Sequence, residues 1–389
     1  MTGFLLLVIA LIIYGSLYPF AFDFHRAGNP LTVLLHSGPA GFDGFVLRDT
    51  VINLLLYMPL GLAAFLAVVR RHSRAAALGA AVLLGVAVSS CLEMLQVYDA
   101  QRVCSLYDVF TNSVGACCGA MAALVFRPKL ELLTAGRKGA QPRAALVLVL
   151  FWFAYQLFPF FPVLSRTRLH AGLAGLIGAG GSSWAEVWVA AAGWFVVALA
   201  LQALLRRFRG WCLAAAMLCL PARFFIVSRA PRLDECLGAA LALVLWSAVG
   251  AGARLRAGFW MLLSAIAVRE LEPLHFLTSA QRFSWIPFAA SLGADRQPAM
   301  VVLFGKAFYY GAGVWLGHVR GWSYARAALA MAAVLAVLEW AQRYLPGRSP
   351  EITDSFLALL MGLILWFVGD AGSKNKKAVG PVRRDLTPR

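Results

Sequence analysis

Two stretches of the chain carry the same polar residues at the same spacing. Each contains a glutamate, a glutamine, a tyrosine, an arginine and an aspartate, and Glu93 is 246 residues from its counterpart Glu339. The members are Glu93, Gln96, Tyr98, Arg102 and Asp108 in the first stretch, and Glu339, Gln342, Tyr344, Arg348 and Asp354 in the second. Arginine binds phosphate or carboxylate through paired hydrogen bonds, and carboxylates bind ammonium or hydroxyl groups. Both stretches are therefore candidate binding sites for a charged or polar ligand.

Three interpretations of these residues are open. In a structural one, each aspartate caps a helix and each arginine pairs with the glutamate of its own stretch, which locks a helical hairpin. In a binding one, Arg102 and Arg348 hold an anion, and the carboxylates orient them or accept a cationic or hydroxyl group. In a catalytic one, a carboxylate pair and an arginine serve phosphoryl or glycosyl transfer. The sequence has no nucleophile elbow, zinc signature or phosphate-binding glycine loop to support catalysis.

Further polar residues extend the first candidate site. Asp49 and Asn53 are four residues apart, as are Asp108 and Asn112, so each pair lies on one face of a helix. Polar groups inside a membrane span cost free energy unless they are paired, which makes them functional candidates. Lys306 and Glu186 are isolated charges in apolar segments, and we expect them to line a cavity if the protein is a transporter.

The elements that position these residues are membrane helices. The chain is 61% hydrophobic and only 14% charged, whereas a soluble domain is about 25% charged. We predict an all-α polytopic membrane protein with about twelve spans, each of about 20 apolar residues. The predicted spans are 3–22, 50–69, 76–97, 106–126, 144–163, 184–205, 211–228, 234–252, 257–271, 300–318, 324–343 and 352–369. The glycine-rich segment 171–180 is too short to span and is predicted to be a loop or interfacial turn.

The distribution of charge predicts orientation and partners. The net charge is +17, and basic residues concentrate in alternate short loops, which places both termini in the cytoplasm by the positive-inside rule. The repeated polar residues then lie near the outer face. Basic loops favour anionic membrane lipids as partners over nucleic acid. The seven cysteines form no metal-ligand spacing, so neither a metal nor a cofactor is expected.

Repeats predict the organisation of the chain. Pro-Phe markers occur at Tyr18-Pro19-Phe20, Phe158-Pro159-Phe160 and Ile286-Pro287-Phe288, and an Arg…Asp element follows each. We predict two or three four-helix units, at 1–127, 144–252 and 257–370, of which the middle one is degenerate. The segment 128–143 is predicted to be a basic linker, and 371–389 a basic disordered tail.

The first unit contains a longer pattern of polar, proline and glycine residues. They are Arg48, Asp49, Asn53, Tyr57, Pro59, Gly61, Glu93, Gln96, Arg102, Asp108, Asn112, Gly115 and Gly119. In these residues the first unit resembles the VanZ-like family of membrane proteins, whose founding member is associated with low-level resistance to the glycopeptide teicoplanin. The resemblance implies a fold and a cell-envelope setting, not a reaction. The last unit departs from the pattern, because at the same offset Asn112 falls on Ala358.

The leading functional hypothesis is a non-enzymatic envelope protein that binds an anionic lipid-linked or glycopeptide-like ligand at the outer membrane face. The first alternative is a transporter or flippase of an envelope lipid or lipid-linked precursor. The second alternative is a membrane-embedded transferase.

Overall fold

The computed structural model is all-α in the part of the chain that it describes. The described residues are 2–18, 20–24, 28–38, 44–69, 71–100, 102–134, 141–160, 163, 165–178, 183–205, 212–226, 229–290 and 296–377. Over these ranges β-structure is limited to isolated bridge residues, among them the pairs Phe22 with Asp99 and Ser284 with Glu351. The chain divides into two compact units, Met1–Arg137 and Lys138–Arg389.

The described residues of the first unit form five helices. They are α1 (Thr2–Leu17), α2 (Pro30–His36), α3 (Gly44–Val68), α4 (Arg74–Gln96) and α5 (Leu106–Thr134). Helix α4 begins where the Ser73 hydroxyl accepts the Ala76 N–H at 3.2 Å, which satisfies one free amide of the first turn. The short helix α2 begins with Pro30 after the cap residue Asn29. We had not predicted it, although asparagine before proline is a typical helix start.

Glycines bring α3 and α5 into backbone contact. A Cβ at Gly119 would overlap the Met58 carbonyl, and one at Gly115 would overlap the Leu54 carbonyl. Small residues at such positions let membrane helices approach closely. Asn112 lies one turn before Gly115, and Asn53 immediately precedes Leu54, so this contact brings both amide residues to the same part of the unit.

The second unit contains ten α-helices among its described residues. They are α6 (Gln141–Leu157), α7 (Arg166–Gly178), α8 (Trp184–Leu204), α9 (Cys212–Met217), α10 (Cys219–Arg223), α11 (Leu233–Ala248), α12 (Arg254–Leu271), α13 (Arg296–Val319), α14 (Tyr324–Ala341) and α15 (Thr353–Lys377). All of these helices except α7 contribute to one hydrophobic core, which runs in sequence from Ala144 to Leu365. At its centre, the Trp152 ring contacts those of Trp194 and Phe308, each at a centroid distance of 4.8 Å.

Six helical segments of the described residues are long and apolar enough to cross a membrane. They are Asp49–Val68, Arg74–Gln96, Leu106–Phe126, Trp184–Leu204, Pro298–Val319 and Tyr324–Tyr344. The other six predicted spans coincide with helices that are shorter or more polar. Helix α1 has 16 residues, which rise about 24 Å against a hydrocarbon core of about 30 Å. The structure therefore supports a multi-pass membrane protein with six candidate spans.

Three local predictions were wrong. Segment 171–180 lies largely in the helix α7, where Gly172 leaves room for the Phe224 ring; the alanines and leucines between the glycines favour helix. The predicted span 211–228 is divided between the short helices α9 and α10. Helix α15 continues to Lys377, so the predicted tail is helical as far as that residue, and its remaining residues lie outside the described part.

Candidate functional site

Arg102 binds the end of the first helix. Its Nε donates to the Tyr18 carbonyl at 2.9 Å, and its Nη2 donates to the carbonyls of Tyr18 and Gly15 at 2.6 and 3.2 Å. Helix α1 ends at Leu17, and the last carbonyls of a helix lack partners within it. A cation there also interacts favourably with the helix dipole. Arg102 therefore acts as a C-terminal cap of α1.

Arg348 makes the same contacts in the second unit. Its Nε donates to the Glu272 carbonyl at 3.0 Å, and its Nη2 donates to the Arg269 carbonyl. Helix α12 ends at Leu271. In both units the arginine thus joins two carbonyls three residues apart at the end of a helix.

The end of α6 also binds arginine. Arg229 Nη2 donates to the Tyr155 carbonyl, and Arg223 Nη1 donates to the Gln156 side chain at 3.1 Å. Arg223 is buried and forms an ion pair with Glu235 at 2.7 Å. Arg229 belongs to the Arg…Asp element that the sequence analysis placed after the middle Pro-Phe marker, whereas the role of Arg223, in the short helix α10, was not predicted.

The three capped helices end in the same turn. The amides of Phe20, Phe160 and Leu274 donate to the carbonyls of the last helical residues, at 2.7, 2.8 and 2.8 Å. All three residues have positive φ. Phe288, where we had placed the third Pro-Phe marker, also has positive φ, but the turn that follows the end of α12 lies at Leu274, and leucine in place of phenylalanine concealed it. The amide of Phe288 instead donates to Thr353 Oγ1 at the start of α15.

The repeated glutamates bind the chain at the start of the next long helix. Glu93 accepts the Ser105 N–H at 2.9 Å, just before α5. Glu339 accepts the Asp354 N–H at 2.6 Å and the Ser355 hydroxyl at 2.7 Å. The expected pairing of Arg348 with Glu339 was wrong, because within the described ranges each binds backbone or hydroxyl groups at a helix end.

The repeated glutamines bind the ends of the helices that Arg102 and Arg348 cap. Gln96 Nε2 donates to the Ser16 carbonyl at 3.0 Å. Gln342 Nε2 donates to the Glu270 carbonyl at 3.3 Å and to its carboxylate at 2.7 Å. Glutamate, glutamine and arginine of each set therefore join helix ends, which favours a structural role for these three residues.

The second unit contains a buried charged network. Lys306 Nζ donates to Asp354 Oδ1 at 2.5 Å, and Asp354 is 2% exposed. The Tyr310 hydroxyl donates to Glu270 Oε1 at 3.0 Å. The sequence analysis missed Glu270, although a carboxylate within an apolar segment was a usable signal. Glu186, the other predicted cavity charge, is exposed at the start of α8.

The first unit differs from the second in its amide residues. Asn112 is 5% exposed and donates from Nδ2 to the Ser89 hydroxyl at 2.9 Å. Its Oδ1 is buried and accepts no hydrogen bond from the described residues. Asn53 is half-buried on α3, and Asp49 is exposed near the start of that helix. Asn53 and Asn112 thus lie on the neighbouring helices α3 and α5, with Asp49 and Asp108 one turn earlier on the same two helices.

Metal ligands and nucleophiles are not apparent around the site. Among the described residues, no group of three or more histidine, cysteine, aspartate or glutamate side chains is placed to hold a metal ion. Cys104 lies between α4 and α5, and burial raises the pKa of its thiol. Its neutral form is a poor nucleophile and metal ligand.

A comparison with known protein families finds a match in the first unit. The VanZ/LLP1 family model matches residues 2–127. No curated protein and no solved structure matches the chain.

Proposed function

We propose that this chain, whose residues 2–127 belong to the VanZ/LLP1 family, is a membrane protein that binds the polar part of a lipid-linked envelope molecule or of a glycopeptide. It binds this ligand in the first unit and catalyses no reaction on it. The observation that carries the proposal is the buried Oδ1 of Asn112, which accepts no hydrogen bond from any residue that the structure describes. An amide oxygen without a donor costs free energy in an apolar interior, and a bound ligand that donates to it would recover that cost.

The ligand is recognised by the acidic and amide residues rather than by the repeated arginines. Two of the three guanidinium nitrogens of Arg102 already donate to the end of α1. In contrast, Asn112 on α5 has a buried Oδ1 that accepts no hydrogen bond from the described residues, and Asn53 lies on the neighbouring helix α3. Recognition in this proposal therefore uses hydroxyl, amide or ammonium donors of the ligand, and Arg102 positions the helices.

The membrane setting follows from the charge pattern. We place the protein in a bacterial plasma membrane with both termini in the cytoplasm, and the ends of α1 and α4 and the start of α5 towards the outer face. A lipid-linked molecule or a glycopeptide can approach Asp49 from that face, since this residue is exposed. The basic loops on the other face contact anionic lipid headgroups.

The test compares Asn112→Ala with its neighbour Ser113→Ala. The Ser113 hydroxyl donates to the Val109 carbonyl of its own helix at 2.6 Å, so its removal leaves the site unchanged. We expect both variants to insert and keep their melting temperatures. We expect only Asn112→Ala to lose the molecule that native mass spectrometry detects on the purified protein, together with any protection of cells against teicoplanin. The proposal is wrong if folded Asn112→Ala retains both.

Transport is a second candidate, and the ion pair of Lys306 with Asp354 favours it. A charged pair within an apolar helix bundle is typical of transport pathways. Proteoliposomes with a fluorescent lipid in one leaflet test this candidate. If the protein is a transporter, it should speed the movement of the lipid between leaflets, and Lys306→Met should abolish this effect. A rate of lipid movement equal to that in empty liposomes excludes transport of that lipid.

A further inference from the structure

We propose that two copies of this chain form a symmetric dimer through the helices α1 and α3 of their first units. The dimer does not depend on the ligand proposed above. It follows from the way in which the second unit packs the helices that match α1 and α3, and from the face of α1 that the first unit leaves open.

The helices α1, α6 and α12 match one another residue by residue. Each ends in a turn at a residue with positive φ, and each is capped by an arginine, as described above. In all three helices the arginine binds the carbonyl five residues before the turn residue, at Gly15, Tyr155 and Arg269. These three residues therefore occupy the same position.

In the second unit each of the matching helices packs on two long partners. Helix α6 packs against α8, the next long helix of the chain, and also against α13. Helix α12 packs against α13, which follows it, and also against α8. The pairs α6–α8 and α12–α13 thus exchange contacts reciprocally, as the two halves of a symmetric dimer do.

Glycines bring the exchanged helices close together. A Cβ at Gly305 of α13 would lie 3.0 Å from the Tyr155 ring of α6, and one at Gly258 of α12 would lie 2.6 Å from the Leu199 side chain of α8. Since Gly305 and Gly258 have no side chain, the backbones can approach as they do at contacts between membrane helices. The exchanged contacts are therefore tightly packed.

The first unit has one such helix pair, and it is less buried. Helix α1 packs against α3, the next long helix, and against α4. Of the most apolar 18-residue window in α3, 39% of the residues are buried, against 72% for α8 and 61% for α13. Helix α3 thus lacks the burial that its counterparts gain from a second helix pair.

The open face of α1 matches the exchanged face of α12. Met261 and Ala265 of α12 are 8% and 0% exposed, whereas the residues at the same positions of α1, Leu7 and Leu11, are only half-buried. A Cβ at Gly15 meets nothing within 4 Å. The first unit therefore presents an apolar face with room for a closely packed helix.

A second copy of the first unit fits this face. In the second unit the equivalent faces already cover one another, so a further first unit is the surface of this chain that matches. Arranged as in the second unit, α1 of each copy packs on α3 of the other. Gly15 of both copies then lies near the two-fold axis, because the matching Tyr155 and Arg269 are close enough to interact electrostatically.

The first test is disulfide trapping of the full-length chain in native membranes. It compares Gly15→Cys with Gly79→Cys, since a Cβ at Gly79 also meets nothing within 4 Å but lies on an exposed part of α4. Both carry Cys91→Ser, because Cys91 is exposed. We expect oxidation to convert most of the Gly15→Cys protein, and little of the control, into a product of twice the chain mass. Equal trapping, an internal disulfide or a link to a different protein would overturn the proposal.

The second test counts chains in liposomes by single-molecule photobleaching at increasing dilution. We expect wild type to be dimeric, and Gly15→Trp to raise the dissociation constant at least about tenfold, because a large side chain at a close helix contact is overpacked. Gly79→Trp is the control and should dimerise as wild type does. Circular dichroism should show the same helix content for both variants. A monomeric wild type, or a dimer that folded Gly15→Trp leaves unchanged, would contradict the proposal.

Discussion

Asp354 binds the Glu339 carboxylate through its backbone and not through its own side chain: the Asp354 N–H donates to Glu339 Oε1 at 2.6 Å. The carboxylate of Asp354 is thereby left to bind Lys306. The backbone N–H of Asp354 thus forms a hydrogen bond between α14 and α15, and its carboxylate forms a buried ion pair. This division separates the repeated polar residues into those that hold helix ends and those that can bind a charged group.

Removal of the tie at Glu339 should be costly. Glu339→Ala leaves the Asp354 N–H and the Ser355 hydroxyl without their acceptor in a buried place, which costs about 2–4 kcal/mol for two groups. Glu339→Gln keeps one acceptor oxygen and should lose less. Melting temperatures of the detergent-purified variants measure the difference, and equal stability of the alanine variant and wild type would contradict the assigned contact.

Arg102→Ala should reduce stability through the first helix. The substitution removes three hydrogen bonds from the end of α1, and a hydrogen bond to a charged group contributes about 1.5–3 kcal/mol net to stability. Arg74→Ala is the control, since Arg74 is exposed in the first turn of α4. A thermal-unfolding assay should show a loss only for Arg102→Ala. A stable Arg102→Ala protein that no longer binds its ligand would instead restore the anion-binding role of this arginine.

The ion pair in the second unit predicts a double-mutant effect. Lys306→Met leaves Asp354 buried without its cation, and breaking a buried pair costs about 3–5 kcal/mol; partial exposure of Lys306 lowers this to about 2–3 kcal/mol. The double variant Lys306→Met/Asp354→Asn removes both charges and should be more stable than Lys306→Met. The unfolding free energies of wild type, Lys306→Met, Asp354→Asn and the double variant give the coupling free energy. A coupling near zero would show that the ion pair contributes nothing to stability.

The glycine contact between α3 and α5 predicts a sharp contrast between two alanine substitutions. Gly119→Ala places a methyl group on the Met58 carbonyl and forces the helices apart, whereas a Cβ at Gly79 meets nothing within 4 Å. We expect Gly119→Ala to lower the yield of folded protein. Gly79→Ala should be neutral or stabilising by up to about 1 kcal/mol. Comparable monodisperse yields for the two variants would contradict the close packing.

Composition was sufficient to predict helical membrane structure, because a chain with so few charged residues has long apolar segments that are stable in a bilayer and not in water. The spacing from Glu93 to Asp108 identified most of the residues that meet around the helix ends. The spacing could not show what they bind, since the partners of Arg102 and Gln96 are carbonyls of α1, which have no side-chain signature in sequence. Leu274 was missed for a related reason: its turn is defined by backbone conformation, and the residue type differs from Phe20.

Lys306 shows a second limit of predictions that rest on residue spacing. The offset of 246 that relates Glu93 to Glu339 pairs Asn53 with Ala299, so the sequence analysis found no counterpart for this residue. Loops between helices differ in length, and an offset that holds for one hairpin need not hold for the helix before it. Only the contact of Lys306 with Asp354 reveals that a side chain from this helix reaches the motif.

The most direct test of ligand binding in the first unit is photo-crosslinking from position 49 in intact cells. A small photoreactive side chain in place of the exposed Asp49 lies at the edge of the site, and the same group in place of Leu83, which is 69% exposed on α4, samples bulk lipid. The account predicts one dominant adduct at position 49, lost in the Asn112→Ala background, and a mixture of ordinary lipids at position 83. The same lipid mixture at both positions would contradict a binding site in the first unit.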